Sequence, residues 1–213
     1  MSKINWRVLT AIEALGLTAY IAWYIWQLQA AKPRSWIVFP IWLSSSFLLH
    51  RDTTKTLGWR LDNLWAATRQ GLTIYAALVF ATGMVGLWSG AYHRLPLHVA
   101  EPWRFFAYFT FCLVQQIALN SYLTNRLLYV LESPRAAALL AGAIFAALHW
   151  PNPVLVPLTF VGGTAMSWLF SRERNIIPLT IGQAILGTLV WWVLPIAWHH
   201  GMRVGPGFYT FHQ

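Results

Sequence analysis

The run WRFFAYFTFCLVQQIALNSYLTNRLLYV, Trp103 to Val130, decides what kind of chain this is. A helix needs about 20 apolar residues to cross a bilayer, and this run exceeds that. Gln115, Gln116 and Asn120 sit in its middle. His149 and Gln183 sit in two later apolar runs, and none of the six acidic residues falls among them. Polar side chains cluster here in apolar helices without a carboxylate.

Composition points the same way. The chain of 213 residues is 57% hydrophobic and 10% charged, against about 25% charged for a soluble domain. Several membrane-crossing helices are expected rather than one anchor. The net charge of +9 comes from Lys and Arg scattered between apolar segments. With no basic stripe, nucleic acid is not an expected partner, and a cytoplasmic loop bias fits better. Fourteen Trp and eight Tyr suit aromatic belts at the bilayer interfaces. The single cysteine, Cys112, permits no internal disulfide and offers no metal-ligand spacing. The first apolar stretch contains Glu13 and lacks a small-residue cleavage site, so no cleavable signal peptide is expected.

The expected fold is all-α: a polytopic membrane helix bundle of about seven transmembrane helices plus one interfacial amphipathic helix. The spans read as Trp6–Gln29, Trp36–Leu49, Gly71–Gly90, Trp103–Val130, Ser133–His149, Val154–Ser171 and Ile176–Trp198. The second is short and contains Pro40, so it is tilted, kinked or only partly spanning. Ser133-Pro134 supplies an N-cap and a first-turn proline for the fifth. Between the second and third spans, Leu57, Leu61, Leu64 and Trp65 alternate helically with Arg60, Asp62, Asn63 and Arg69. That pattern reads as a helix over 51–70, lying in the membrane surface or packed as a linker on the bundle. The whole chain, 1–213, reads as a single membrane domain, with N-terminal helices over 1–56, a core over 57–198 and a tail over 199–213. Ten of the fifteen Lys and Arg, from Lys3 and Arg7 to Arg172 and Arg174, fall on the amino-terminal side of the spans. Lys32, Arg34, Arg94, Arg104 and Arg203 fall on the other. A cytoplasmic amino terminus in a bacterial inner membrane is the expectation.

The polar positions carry a resemblance. Gln115-Gln116-Ile117-Ala118-Leu119-Asn120-Ser121-Tyr122-Leu123 resembles the first motif, E-E-x-x-x-R, of the CPBP family of CAAX prenyl endopeptidases and bacteriocin-processing membrane proteins. Phe145-Ala146-Ala147-Leu148-His149 matches its second motif, F-x-x-x-H, without change. Gln183-Ala184-Ile185-Leu186-Gly187 aligns with its H-x-x-x-N segment, and Leu57-Gly58-Trp59-Arg60 is similar to an element that precedes its core. The resemblance implies an ancestral site in which a buried glutamate, aided by histidines, activates water, and an asparagine stabilises the oxyanion. Such a glutamate works because burial raises its pKa toward the operating pH. An amide keeps the shape and the hydrogen bonds but cannot accept the proton. Here Gln115 and Gln116 stand at the glutamates, Asn120 at the arginine, Gln183 at the histidine and Gly187 at the asparagine. Losing the arginine with the glutamates is consistent, since a buried charge without its partner is costly in a bilayer.

His149 is therefore the remaining candidate for catalysis. Its plainer reading is a neutral histidine bonded to an amide or a backbone carbonyl near a helix end. Gln115, Gln116, Asn120, Phe145 and Gln183 are candidate binding residues. The plainer reading of the glutamines is interhelical hydrogen bonding, at around 0.6 kcal/mol per contact. No cofactor and no metal site are expected, since amides ligate transition metals poorly. Glu13 faces the interface or pairs with a basic residue, and Ala138, Gly142 and Ala146 form a close-packing helix face. His199-His200 and His212 read as interfacial, and the glycine-rich tail as non-helical. Two functions follow. One is a non-proteolytic binding module or complex subunit whose partners are the lipid bilayer and a membrane protein or lipid-soluble ligand. The other is an intramembrane peptidase or hydrolase that uses His149 on a membrane-embedded peptide or isoprenoid-type substrate.

Overall fold

In the computed structural model, residues 5–90 and 102–211 are described. Lys3, Arg94, His212 and the side chain of Arg104 lie outside the described residues. Helices, turns and loops make up everything described, with no strand among the described residues.

Helix α1, Trp6–Ala31, passes through a π-helical stretch at Tyr24–Leu28. It is followed by α2, Val38–Leu49, and α3, Leu64–Ser89. Helix α4, Pro102–Gln116, runs without a break through a π-helical stretch, Ile117–Thr124, into α5, Asn125–Leu131. Helices α6, Pro134–Ala147, α7, Leu155–Glu173, and α8, Ile176–Val193, complete the bundle. Among the described residues, three helices (α1, α3 and α8) are long and apolar enough to cross a membrane. At 12 residues α2 rises about 18 Å, and with the 3-10 turn Pro33–Ile37 that runs straight into it about 28 Å, near a hydrocarbon core of about 30 Å.

Short polar side chains start these helices as their chemistry requires. The Asn5 side chain accepts from the Arg7 and Val8 amides, Ser133 from Ala136 and Asn175 from Ile177. Contacts between termini gather the helix ends into two groups. At one end Trp6 meets His50 edge-on, Arg7 pairs with Glu132, and the Asn63 amide donates to the Glu173 carbonyl. At the other, Trp88 packs against Trp198, and the Asn152 amide donates to the His199 carbonyl. Successive long segments therefore run in alternate directions.

Three buried clusters hold the bundle together, the smallest of them Val190, Val193 and Leu194. One of the larger two joins Ala14, Leu17, Tyr122, Leu127 and Ala137. The other joins Met166, Phe170, Ile176 and Leu179. Large apolar groups cover much of the outside, with Phe80 71% and Trp88 82% exposed, as lipid-facing surfaces require. The small-residue face of α6 behaves as expected. Ala138, Gly142 and Ala146 are buried, and a Cβ on Gly142 would run into Thr164 and the Phe160 carbonyl of α7.

Three expectations need correction. The segment 51–63 is not an amphipathic helix but a chain of turns, and helix begins only at Leu64. Thr53 and Thr56 turn their hydroxyls onto local backbone, an alternative to helix that threonine favours. Gly58 adopts φ +83°, open to glycine alone without strain. The second correction concerns the tail. It folds back on the bundle, with the Gly205 amide donating to the Trp150 carbonyl (2.9 Å) and a helical turn at Pro206–Tyr209. His199 is buried against Trp191, and His200 stacks on Phe208 at 4.0 Å. Third, the last span ends at Val193, where Pro195 interrupts it, rather than at Trp198.

Candidate functional site

Gln116 and Asn120 are fully buried at the junction of α4 and the π-helical stretch, and Gln183 on α8 faces them. Their amides bond head to tail. Gln183 Nε2 donates to Gln115 Oε1 (2.5 Å), Gln116 Nε2 to Gln183 Oε1 (2.6 Å) and Asn120 Nδ2 to Gln116 Oε1 (2.6 Å). Thr124 Oγ1 adjoins the relay, its one proton shared between the Leu119 carbonyl (2.8 Å) and Asn120 Oδ1 (3.1 Å), with Ser167 Oγ of α7 also 3.1 Å away. Gln116 Nε2 also lies 3.0 Å from Met166 Sδ. Each oxygen in the series of amides thus receives a donor, and no carboxylate or imidazole belongs to the series. Polar chains of this kind polarise one another in a low-dielectric interior, which strengthens each link.

The π-helical register helps to bring these groups together. Thr124 bonds the Leu119 carbonyl five residues back at 2.8 Å, and Asn120, Ser121, Thr124 and Asn125 are all buried. Single π-helical turns recur at functional sites because they re-aim side chains. Beneath this stretch the Leu57–Arg60 element acts as a plug of carbonyls. Leu57 accepts from Ser121 Oγ (2.5 Å), Gly58 from the Ile176 amide (3.0 Å) and Arg60 from Asn175 Nδ2 (2.8 Å). The turn that replaces the expected helix thus satisfies polar groups of two bundle helices.

His149 stands apart from this relay. Its Nδ1 lies 2.6 Å from the Phe145 carbonyl, and the Phe145 ring meets it edge-on at 4.6 Å. No hydrogen bond joins it to the amides. Measured from the turn at Glu132–Ser133, Gln116 and His149 nonetheless lie at similar depths, roughly 20–25 Å along antiparallel helices. Four of the five polar positions therefore meet through side-chain contacts, and the fifth shares only their level.

Gly187 stands where the resemblance places an asparagine, and the space beside it is filled. A Cβ there would collide with the Tyr108 hydroxyl of α4. Tyr108, Thr124, Ser167 and Met166 escaped the sequence reading. A tyrosine among aromatic residues gives no spacing signal, and the other three depend on the π register.

A second polar centre lies at the end of the bundle where Trp6 sits. Glu13 of α1 lies 2.8 Å from His50 Nε2 and 3.7 Å from Arg126 Nε of α5. Arg126 Nη2 donates to Asp52 Oδ2 and to Ser46 Oγ, both at 2.7 Å. The guanidinium also sits over the Tyr122 ring at 5.4 Å, and the Tyr122 hydroxyl donates to the Glu13 carbonyl (3.0 Å). Of the two readings of Glu13, pairing with a basic residue is the one realised. Arg126 had counted only as a loop charge, yet it is 3% exposed.

The bundle thus carries a polar relay of amides between two of its long helices, α4 and α8. The family model of Rce1-like type II CAAX prenyl endopeptidases matches residues 101–189, less than half of the chain. Over that segment the chain is similar to that family, as its motifs indicated. No curated protein matches the chain, and neither does any solved structure.

Proposed function

We propose that this protein is a non-proteolytic member of the CAAX-protease-like group, a membrane module that binds a protein partner or a lipid-soluble ligand. The observation that carries the reading is the neutral relay Gln115–Gln183–Gln116–Asn120. Water activation needs a group that takes up a proton, and a neutral amide does not. Binding residues in this reading are Gln115, Gln116, Asn120, Phe145 and Gln183. The Lys and Arg gathered at the Trp6 end, among them Arg7, Lys55, Arg60 and Arg135, support a cytoplasmic amino terminus in a bacterial inner membrane. Seven crossings remain part of the proposal.

A second reading rests on His149. With its Nδ1 on the Phe145 carbonyl, its Nε2 is left as an acceptor, the tautomer a general base requires. Purified protein reconstituted in vesicles and offered a prenylated CAAX peptide separates the two. The expected result is no cleavage by mass spectrometry, together with a partner or lipid that copurifies equally with wild type and His149→Ala. Cleavage by the wild type that His149→Ala abolishes, with the helical signal unchanged, would overturn the proposal.

A further inference from the structure

Beside the charged centre the surface opens into a cavity of about 510 Å³, and Arg51, Arg126, Arg174 and His50 are on its wall. Asp52, the carboxylate on that wall, is engaged by Arg126. Arg174 donates to Asn125 Oδ1 (2.5 Å) and lies beyond ion-pair distance of any carboxylate among the described residues, with Asp52 acting on it only at longer range, and the Arg51 side chain makes no hydrogen bond or ion pair among the described residues. The two guanidinium groups thus share one wall with a single carboxylate that Arg126 already holds. The same cavity has an apolar side at Trp6, Leu49 and Leu128.

Leu49 also borders a second cavity of about 310 Å³, lined by Val38, Ile41, Trp42 and Ser45. These residues form one stripe along α2, and from Val38 to Leu49 the stripe measures roughly 16 Å. Glu13, at its edge, is answered by His50 and Arg126, so the groove carries no uncompensated anion. A cationic chamber thus opens at one end of an apolar groove on the outer face of the bundle. We propose that this pair of cavities binds one anionic phospholipid, with its phosphate on Arg51 and Arg174 and an acyl chain along α2.

Guanidinium groups grip phosphate oxygens in pairs, which a lone ammonium does not. A zwitterionic lipid would bring its own cation toward the arginines, and a free phosphate would leave the α2 groove unused. The cavity also lies at the end of the bundle richest in Lys and Arg, the end that meets the anionic cytoplasmic leaflet in the orientation proposed above. The site is separate from the amide relay and does not depend on the function assigned there.

Native mass spectrometry of the full chain in detergent tests it, with phosphatidylglycerol, phosphatidylcholine and sn-glycerol 3-phosphate offered separately. The expected result is one retained phosphatidylglycerol, preferred at least tenfold over phosphatidylcholine, and no retained glycerol phosphate. Arg51→Gln with Arg174→Gln should lower that retention at least tenfold. Ser45→Trp, at an exposed position without a side-chain hydrogen bond, should block the groove and lower it too. Equal retention of the two lipids, or retention of phosphatidylglycerol unchanged in both variants, would overturn the proposal. Glycerol phosphate bound as tightly as phosphatidylglycerol would do so as well, by making the chamber a site for free anions.

Discussion

The amide relay and the charged centre are both buried, and less than two turns separate Asn120 from Arg126 on one continuous helical segment. One is built of neutral groups throughout, while the other gathers Glu13, His50, Asp52 and Arg126. The difference lies in what surrounds a charge at each place. Arg126 is met by a carboxylate, a hydroxyl, a second carboxylate close by and an aromatic face. A charge at Gln116 would meet two amides and a thioether. Removing a charge from water costs several kcal/mol unless its partners restore it, so ionised groups persist at the first site and amides at the second. Position adds to this, since Arg126 lies nearer the bundle end and the polar loop of residues 51–63.

That contrast can be attacked most directly at Arg126. Arg126→Met leaves Glu13 and Asp52 buried without their guanidinium and should cost about 3–5 kcal/mol in a denaturation series in mixed micelles. A loss below about 1 kcal/mol, the range of solvated pairs, would show that water reaches the cluster. The relay should respond less. Gln116→Leu removes a donor from Gln183 and an acceptor from Asn120, and should cost about 1–3 kcal/mol in the same assay. Combined with Gln183→Leu, the loss should fall short of the sum of the two single losses, because the links are shared. Strict additivity would mean that the two amides do not act as a unit.

The smallest response belongs to the exposed pair Arg60–Asp62 on the loop. The hydrogen bond from Arg60 holds the Asp62 carboxyl below the usual carboxylate range. What the pair contributes is therefore present above that range and lost as pH falls through the lowered value. Asp62→Asn should melt within a degree or two of wild type at neutral pH, consistent with the small worth of surface pairs, and the two should converge in acid. A gap that widened toward low pH would contradict this.

Much of this organisation was open to reading from the chain itself. Apolar runs announced helices, because only helices satisfy their own backbone in lipid. Ser133-Pro134 marked a start that the Ser133 side chain does cap. Gln115, Gln116, Asn120 and Gln183 stood out because amides are rare in such runs, and they do meet. What stayed hidden depends on distance in sequence or on backbone register. Glu13, His50 and Arg126 belong to separate segments, and nothing local shows that they touch. The turns at 51–63 mimic an amphipathic helix in their apolar spacing, but threonine hydroxyls and the Gly58 conformation decide otherwise. His149 kept its motif and its plainer reading alike, since its Nδ1 rests on the Phe145 carbonyl.

The Tyr108 hydroxyl occupying the space above Gly187 has a consequence for any redesign of this scaffold. A side chain can be added at position 187 only if Tyr108 is made smaller, and that change alone would leave a hole between α4 and α8. Two coupled changes, the first costly by itself, therefore stand between this packing and any larger residue at that position.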